Sequence, residues 1–552
     1  MPVVSISSSR LAKLIPDVSR EKVLEMLPFA GLDIEGVDEH GIRVEYNPNR
    51  PDFSTDLGIV RAIRGLLEIE LGTPKLKLTR KSGSSILVTK NVKKIRPVIV
   101  ALAATGGKLE DETIRQLISM QEDLHNGVGR RRRKASIGLH DLDAISFPLT
   151  YTAVSDDYAF TPLGESAHRT IAQILQETET GRLYGNLVRG SDRYPLLVDK
   201  NGTVLSFPPI INGNSTRVDQ KTRNIFVEVT GTEKKASDDV LAIIAMALTD
   251  AGFEIRTVTV AGGGKRIETP QMKPTQIVAD AKYLNQVMGI DLGSKQIIRC
   301  LRKSRLDAVA RGSRIVCMVP RYRTDISHPV DVAEEVALGY GIYNLKPTFP
   351  STCTSGQKSL LTNYLSAVRE TLGGHGMIES LGFSLTSRQI QYEAFSRSSE
   401  NALQVEGPKS AEHQILRDSL IPSLLFSLSR NVHEEYPQRL FEIGKTFYRG
   451  GDIRESWNIA AIVAHADAGY TEILSILQSL LRSCFGKEMK AKASQSPFFI
   501  SGRSAEIVVD GTGAGAVGEI TPAALANMKL RVPAAAFEID LTRMLYDKGQ
   551  IA

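Results

Sequence analysis

Apolar and polar positions alternate with different rhythms along the chain, and the changes of rhythm mark its elements. Near the N-terminus Ser19 predicts a helix cap over Glu21 to Phe29, and Gly41 to Tyr46 reads as a strand. The prolines and Asp/Asn residues of NPNRPDFSTD (47–56) mark a loop. Ile59, Ile63, Leu66 and Leu67 then share one helix face, with Ser54 or Thr55 as cap and Gly72 and Pro74 as the stop after Leu71. Lys75 to Lys94 is basic and reads as a connector. Beyond it the apolar run Arg96 to Ala103 suits a buried strand, and Asp111 to Leu124 has helical spacing. Short strands follow at Leu149–Val154, Tyr194–Asp199, Val204–Phe207, Ile225–Thr230 and Glu254–Val260, with helices at His168–Thr178 and Ala236–Ala251. AGGGKRIETP (261–270) and PTFPSTCTSG (347–356) read as linkers. Between them lie helix-strength stretches at Val278–Val287 and Lys295–Lys303 and a strand at Ile315–Pro320. The last block opens with a helix over Ser359–Leu372. Its strands fall at Ile378–Leu385, Arg439–Phe447, Asn458–His465, Ala505–Asp510 and Ala534–Leu541.

Strands and helices in no strict alternation make this an α+β multidomain protein. The expected domains are an N-terminal α/β module (1–90), a second domain (91–262), a winged-helix-like module (270–347) and an antiparallel-sheet domain (357–552). A chain of 552 residues exceeds one hydrophobic core. No period of 20 to 50 residues recurs, which excludes solenoids and propellers.

One stretch concentrates charge. PRYRTDISHPVDVAEEVALGYGIY (320–343) places Asp325, Asp331, Glu334 and Glu335 within eleven residues. Pro329 suits the first turn of a helix and Gly341 the position after its end. Asp331, Glu334 and Glu335 then share a face, and crowded carboxylates ask for a cation. An oxygen-only set suits Mg²⁺. A solvated acidic first turn, favoured by the helix dipole, is the other reading. The second dense stretch is Arg130, Arg131, Arg132, Arg133 and Lys134, readable as a solvated loop or as a phosphate contact.

Composition changes this picture little. The chain is 42% hydrophobic and 24% charged, an ordinary globular mixture, and its net charge of +6 leans only mildly toward acidic partners. Cys300, Cys317, Cys353 and Cys484 form no Cys-x-x-Cys pair, so neither zinc nor a disulfide framework is indicated. No signal peptide or membrane span is legible, and a soluble cytoplasmic protein is expected. Gly513, Gly515 and Gly518 spell GxGxxG, but the chain after them has no room for paired βαβ halves. A glycine hairpin returning as strand Ala516–Ile520 is expected instead, its glycines supplying positive φ. GxSxG and HExxH are absent, and His140, Asp141 and Asp143 read as a structural turn.

Seven stretches in one order carry a family resemblance. They are NPNRPDFSTDLGIVRAIRGLL, SIGLHDLD, VLSFPPIING, NIFVEVTGT, PRYRTDISHPVDVAEEVALGYG, VEGPKSAEHQILRDSLIPSLL and RLFEIGKTF. Together they resemble the beta subunit of phenylalanyl-tRNA synthetase in its archaeal or eukaryotic-cytosolic form. The resemblance implies an assembly of two alpha and two beta subunits, in which alpha attaches phenylalanine to tRNA(Phe) with ATP. It implies that the last block is a class II synthetase-like domain without activity, with Arg417 and Arg503 structural. It implies a Mg²⁺ site shared with alpha on Asp325, Asp331, Glu334 and Glu335. It also implies that the second domain edits Tyr-tRNA(Phe) in a pocket at Leu197, Ser206, Glu228 and Thr230, with Glu228 where relatives carry Asp. The bacterial members' N-terminal insert and C-terminal anticodon-binding domain are not expected here. A stand-alone hydrolase of mischarged tRNA and a non-catalytic nucleic-acid-binding scaffold are the alternative functions.

Overall fold

The computed structural model describes residues 2–79, 83–107, 109–190, 192–350 and 354–546, so Cys353 lies outside the described residues. The chain divides into two compact units, Met1–Phe349 and Pro350–Ala552.

The first unit begins as the apolar pattern predicts. Ser19 caps the helix Arg20–Met26, and Thr55 caps Asp56–Leu66, whose Ile59, Val60 and Ile63 pack on the antiparallel strands Val3–Ser7, Gly41–Tyr46 and Leu32–Val37. The second helix stops before Leu71, because Glu68 turns into the left-handed region at φ 60°. The supposed basic connector contains two strands, Leu78–Thr79 and Ser85–Val88. Both run parallel to Glu254–Gly262 within an eleven-stranded sheet. AGGGKRIETP is likewise no linker: Gly263 and Gly264 make the turn of a hairpin that returns as Lys265–Thr269. Leu78–Thr79 and most of Lys265–Thr269 are exposed off the main path of the sheet. Ser85–Val88 lies between Glu254–Gly262 and Leu149–Val154 with only Ile86 fully buried, and such polarity resembles a loop.

Down the path of this sheet, Val98–Thr105 is followed by Ile225–Gly231 and then by the edge strand Ala135–Asp141. Helix Lys234–Asp250 covers one face, burying Val100, Leu102, Val227 and Val229. The remaining part of the unit has a three-stranded sheet, Thr275–Asp280, Arg314–Val319 and Asp307–Arg311, with helices Ala281–Met288, Ser294–Lys303 and Pro329–Tyr340. Residues 278–280, expected as helix, continue the first of these strands.

The second unit is built on a seven-stranded sheet, antiparallel except for the edge strand Ile378–Glu379 beside Gln438–Gly450. The expected strand Ile378–Leu385 is two short pieces, since Leu385–Thr386 leaves to pair with Ile415–Leu416. Phe499–Val509 and Thr512–Ile520 form the hairpin expected at the glycine motif, but its glycines act differently. The turn is Asp510–Gly511, the residues with positive φ. Gly515 lies inside the returning strand, where a Cβ would stand 2.0 Å from the Glu538 carbonyl oxygen. Its role is close approach of backbones.

Candidate functional site

Ile225–Gly231 is buried along its whole length. Its register with the edge strand sets Phe226 opposite His140, Glu228 opposite Gly138 and Thr230 opposite Ser136. Side chains alternate between faces, so these six residues share the face opposite Val227 and Val229. Polar groups this deep must be paired or stand at a site.

Glu228 is half paired. Ser206 donates its hydroxyl to Glu228 Oε1 at 2.8 Å, while Oε2 has no partner. Burial pushes the Glu228 carboxyl up to about 7, against the Ser206 hydrogen bond and the Arg96 charge that favour ionisation. His140 Nδ1 lies 2.8 Å from Thr216 Oγ1, and its Nε2 has no partner. Burial pushes this imidazole down to about 3, so it is neutral at pH 7. Gly138 separates the two: a Cβ there would lie 2.6 Å from both Glu228 Oε1 and His140 Nε2. His140, read from sequence as part of a turn, is therefore a buried neighbour of the carboxyl, while Asp141 and Asp143 do form the turn. Only the ladder register reveals this.

Beside the edge strand opens a cavity of about 840 Å³. Glu228, Ser206 and Ser136 stand on its wall with apolar Ile114, Ile137 and Phe207. Leu197 and Thr230 stand behind the wall. Leu197 packs with Tyr151 and Phe226. Thr230 Oγ1 accepts from Arg96 Nε at 3.0 Å and lies 3.0 Å from Ser136 Oγ. Thus the strand face shared by Glu228 and Thr230 is as expected, but the Thr230 hydroxyl is engaged by Arg96. Arg96 also donates to the backbone oxygens of Thr230, Arg132 and Arg133. Burial lowers it only to about 10, so it stays charged beside Glu228.

In the basic run, Arg130, Arg131, Arg133 and Lys134 are exposed, and Lys134 pairs with Glu233 at 2.7 Å. Arg132 turns inward and lines the cavity.

The acidic helix has the expected limits, Pro329 to Tyr340, with Gly341 at φ 91°. Its carboxylates are divided among partners. Asp331 accepts the backbone N–H groups of Ser327 and His328, each at 2.7 Å. Buried Arg323 holds Asp325 at 2.6 Å and also Glu335. Glu334 is exposed, and its carboxyl is raised by partial burial and by the neighbouring charges of Glu335, Asp325 and Asp331. Among the described residues no three His, Cys, Asp or Glu side chains converge closely enough to hold a metal ion. As it stands in this chain, the motif is thus not a closed ligand set for Mg²⁺: Arg323 neutralises two of the four, and the crowding that remains is felt at Glu334.

In the second unit Arg417 forms a buried ion pair with Glu442 and donates to the Lys445 carbonyl at 3.0 Å. A Cβ on Gly444 would lie 2.2 Å from that guanidinium. Arg503 pairs with Glu519 at 2.7 Å. Half-buried Glu538 accepts from Ser419, from Asn458 at 2.7 Å and from the Leu420 N–H at 3.1 Å.

Three domain models, two of them named for tRNA synthetases, match most of the chain in succession. The B3/4 domain matches residues 84–240, the tRNA synthetase B5 domain 277–342, and the phenylalanyl tRNA synthetase beta chain CLM domain 345–541. The first of these contains Ser206, Glu228 and the cavity, and the second the acidic helix. They define the class, a synthetase chain of several domains. The phenylalanine–tRNA ligase beta subunit of Archaeoglobus fulgidus is 38% identical over 100% of both chains. That of Methanococcoides burtonii is 35% identical over 98% of this chain and 100% of its own. A crystal structure of an N-terminal fragment of the phenylalanyl-tRNA synthetase beta subunit from Pyrococcus horikoshii is also similar. It covers 61% of this chain and 99% of its own, with a TM-score of 0.59 and 32% identity. The chain belongs to the phenylalanine–tRNA ligase beta subunit family.

Proposed function

We propose that the cavity in the first unit hydrolyses Tyr-tRNA(Phe), and that the chain works with an alpha subunit that charges tRNA(Phe) with phenylalanine. The observation that carries this reading is Glu228: a buried, half-paired carboxyl on the wall of a largely apolar cavity. A pocket built for phenylalanine rejects tyrosine only about 10²-fold, because the extra group is one hydroxyl. A second pocket reverses the preference if it gives that hydroxyl a partner. The Glu228 carboxyl accepts a phenol O–H when ionised and donates to the phenol oxygen when neutral. Phenylalanine gives it nothing, a difference of about 1–3 kcal/mol. In the reaction, water adds to the ester carbonyl and the bond to the ribose oxygen breaks. Tyrosine and free tRNA result. Glu228→Gln keeps the side chain's size and removes the carboxylate. It is expected to slow Tyr-tRNA(Phe) hydrolysis about tenfold or more, with phenylalanylation by the complex unchanged. Hydrolysis at the parental rate by the folded variant would refute the assignment.

The same reading puts synthesis on the alpha subunit, in a cytoplasmic assembly of two alphas and two betas. Its support is that Arg417 and Arg503, the arginines weighed for the second unit, are taken by Glu442 and Glu519. ATP then belongs to alpha. Mg²⁺ would meet Glu334 first, with Asp325, Asp331 and Glu335 around it, and oxygen ligands from alpha would complete the set. The crowding felt by Glu334 is the support.

A further inference from the structure

Arg130, Arg131 and Arg132 have φ of 50°, 53° and 62°, the only three consecutive non-glycine residues in the left-handed region among the described residues. This region crowds Cβ against the following carbonyl oxygen, so the turn must be held from outside. Arg96 holds it from below, donating to the carbonyls of Arg132 at 3.1 Å and Arg133 at 3.4 Å. Lys134 N–H closes it on Gly129 O at 2.8 Å.

The side chain of Arg132 holds something else. Its Nη1 donates to Ile210 O at 3.0 Å and Pro209 O at 3.3 Å, and its Nη2 to Glu122 at 3.0 Å. The guanidinium lies 4.2 Å over the Tyr184 ring. Glu122 is itself aimed. The Ile137 N–H donates to His125 Nε2 at 2.9 Å, which leaves the proton on Nδ1, 3.2 Å from Glu122. Glu122, His125, Arg132, Pro209 and Ile210 all line the cavity. By contrast Arg130, Arg131 and Arg133 are exposed and pair with no carboxylate among the described residues.

We propose that this turn divides its arginines between two tasks. Arg130, Arg131 and Arg133 bind the phosphates of a single-stranded polynucleotide end leading into the cavity. Arg132 is a positioning residue that fixes the cavity's buried wall at Pro209 and Ile210. The proposal rests on the reading of the cavity as a site for acylated tRNA. The strain serves it: the left-handed turn sends one guanidinium inward while its neighbours face solvent.

The test uses the full chain and tRNA(Phe), with affinity followed against salt. Each lost single-strand phosphate contact reduces the slope of log affinity on log salt by ~0.7. The triple variant Arg130→Ala, Arg131→Ala, Arg133→Ala is expected to reduce it by about 2. Arg132→Lys keeps the charge and loses the fork. It is expected to leave the slope unchanged, to speed amide hydrogen exchange over residues 210–213, and to lower kcat for deacylation without raising KM. A parental slope in the triple variant overturns the proposal. So does an Arg132→Lys chain with parental exchange, or with a slope reduced as in the single Arg130→Ala. If the parent chain clears no Tyr-tRNA(Phe), the editing reading fails, while slope and exchange still decide the division of labour.

Discussion

A buried carboxyl group with a single hydrogen-bond donor keeps its proton to a higher pH than usual, and Glu228 is raised from 4.5 to about 7 for this reason. The folded chain therefore binds that proton more tightly than the unfolded chain does. The resulting stabilisation is complete below about pH 4.5 and is lost as pH rises to about 7. The whole effect amounts to about 3 kcal/mol. Glu228→Gln carries no such proton. The melting temperature of the parent chain should fall, relative to this variant, between pH 5 and 7 and run parallel above it. Parallel curves throughout would mean that Glu228 is already ionised at pH 5. Its neighbour Thr230 has a different task, as an acceptor for buried Arg96.

At the scale of elements, small residues decide how closely strands and side chains approach. Gly138 leaves the gap between Glu228 and His140, Gly444 admits Arg417, and Gly515 lets its strand lie against Ala534–Asp540. The last is the sharpest test, because the obstacle to a Cβ is the backbone oxygen of Glu538 at 2.0 Å. Gly515→Ala should lower the stability of the second unit by about 1–3 kcal/mol, as overpacking does. A denaturant midpoint within error of the parent would show that the two strands can separate at no cost. Gly513, Gly515 and Gly518 resemble a nucleotide-binding fingerprint in sequence, but each is small because a Cβ would meet a neighbouring strand: Glu506, the Glu538 backbone, and Phe499 with Ser504 respectively.

On the scale of the whole molecule, the second unit displays an apolar edge. Ile378, Leu381 and Phe383 are 68%, 85% and 79% exposed, on and just after the edge strand Ile378–Glu379. An unpaired strand edge with large apolar side chains is a surface made for a partner. Under the proposed function the partner is the alpha subunit. Leu381→Glu with Phe383→Glu should abolish co-purification with alpha and change the melting of the isolated chain little, since both side chains are mostly exposed and Phe383 meets the His413 ring edge-to-face. Assembly with parental affinity would move the interface elsewhere.

Local chemistry was legible in the residues: Ser19 and Thr55 cap helices, and Pro329 and Gly341 bound the acidic helix as their backbone preferences require. Alternation along NIFVEVT put Glu228 and Thr230 on one face, and several motifs in order carried the family. The sequence could not tell short polar strands from linkers, because their composition is alike and the difference is a hydrogen-bonded neighbour 170 or so residues away. Nor could it assign partners to charges. Arg323 lies within the acidic stretch, yet only the folded helix brings Glu335 onto it. Arg132 is one of five like residues until the left-handed turn aims it at Pro209 and Ile210. Period and propensity act over a few residues and follow from composition. Register, burial and the pairing of charges are set by long-range packing, and that packing decides which polar groups remain free to act.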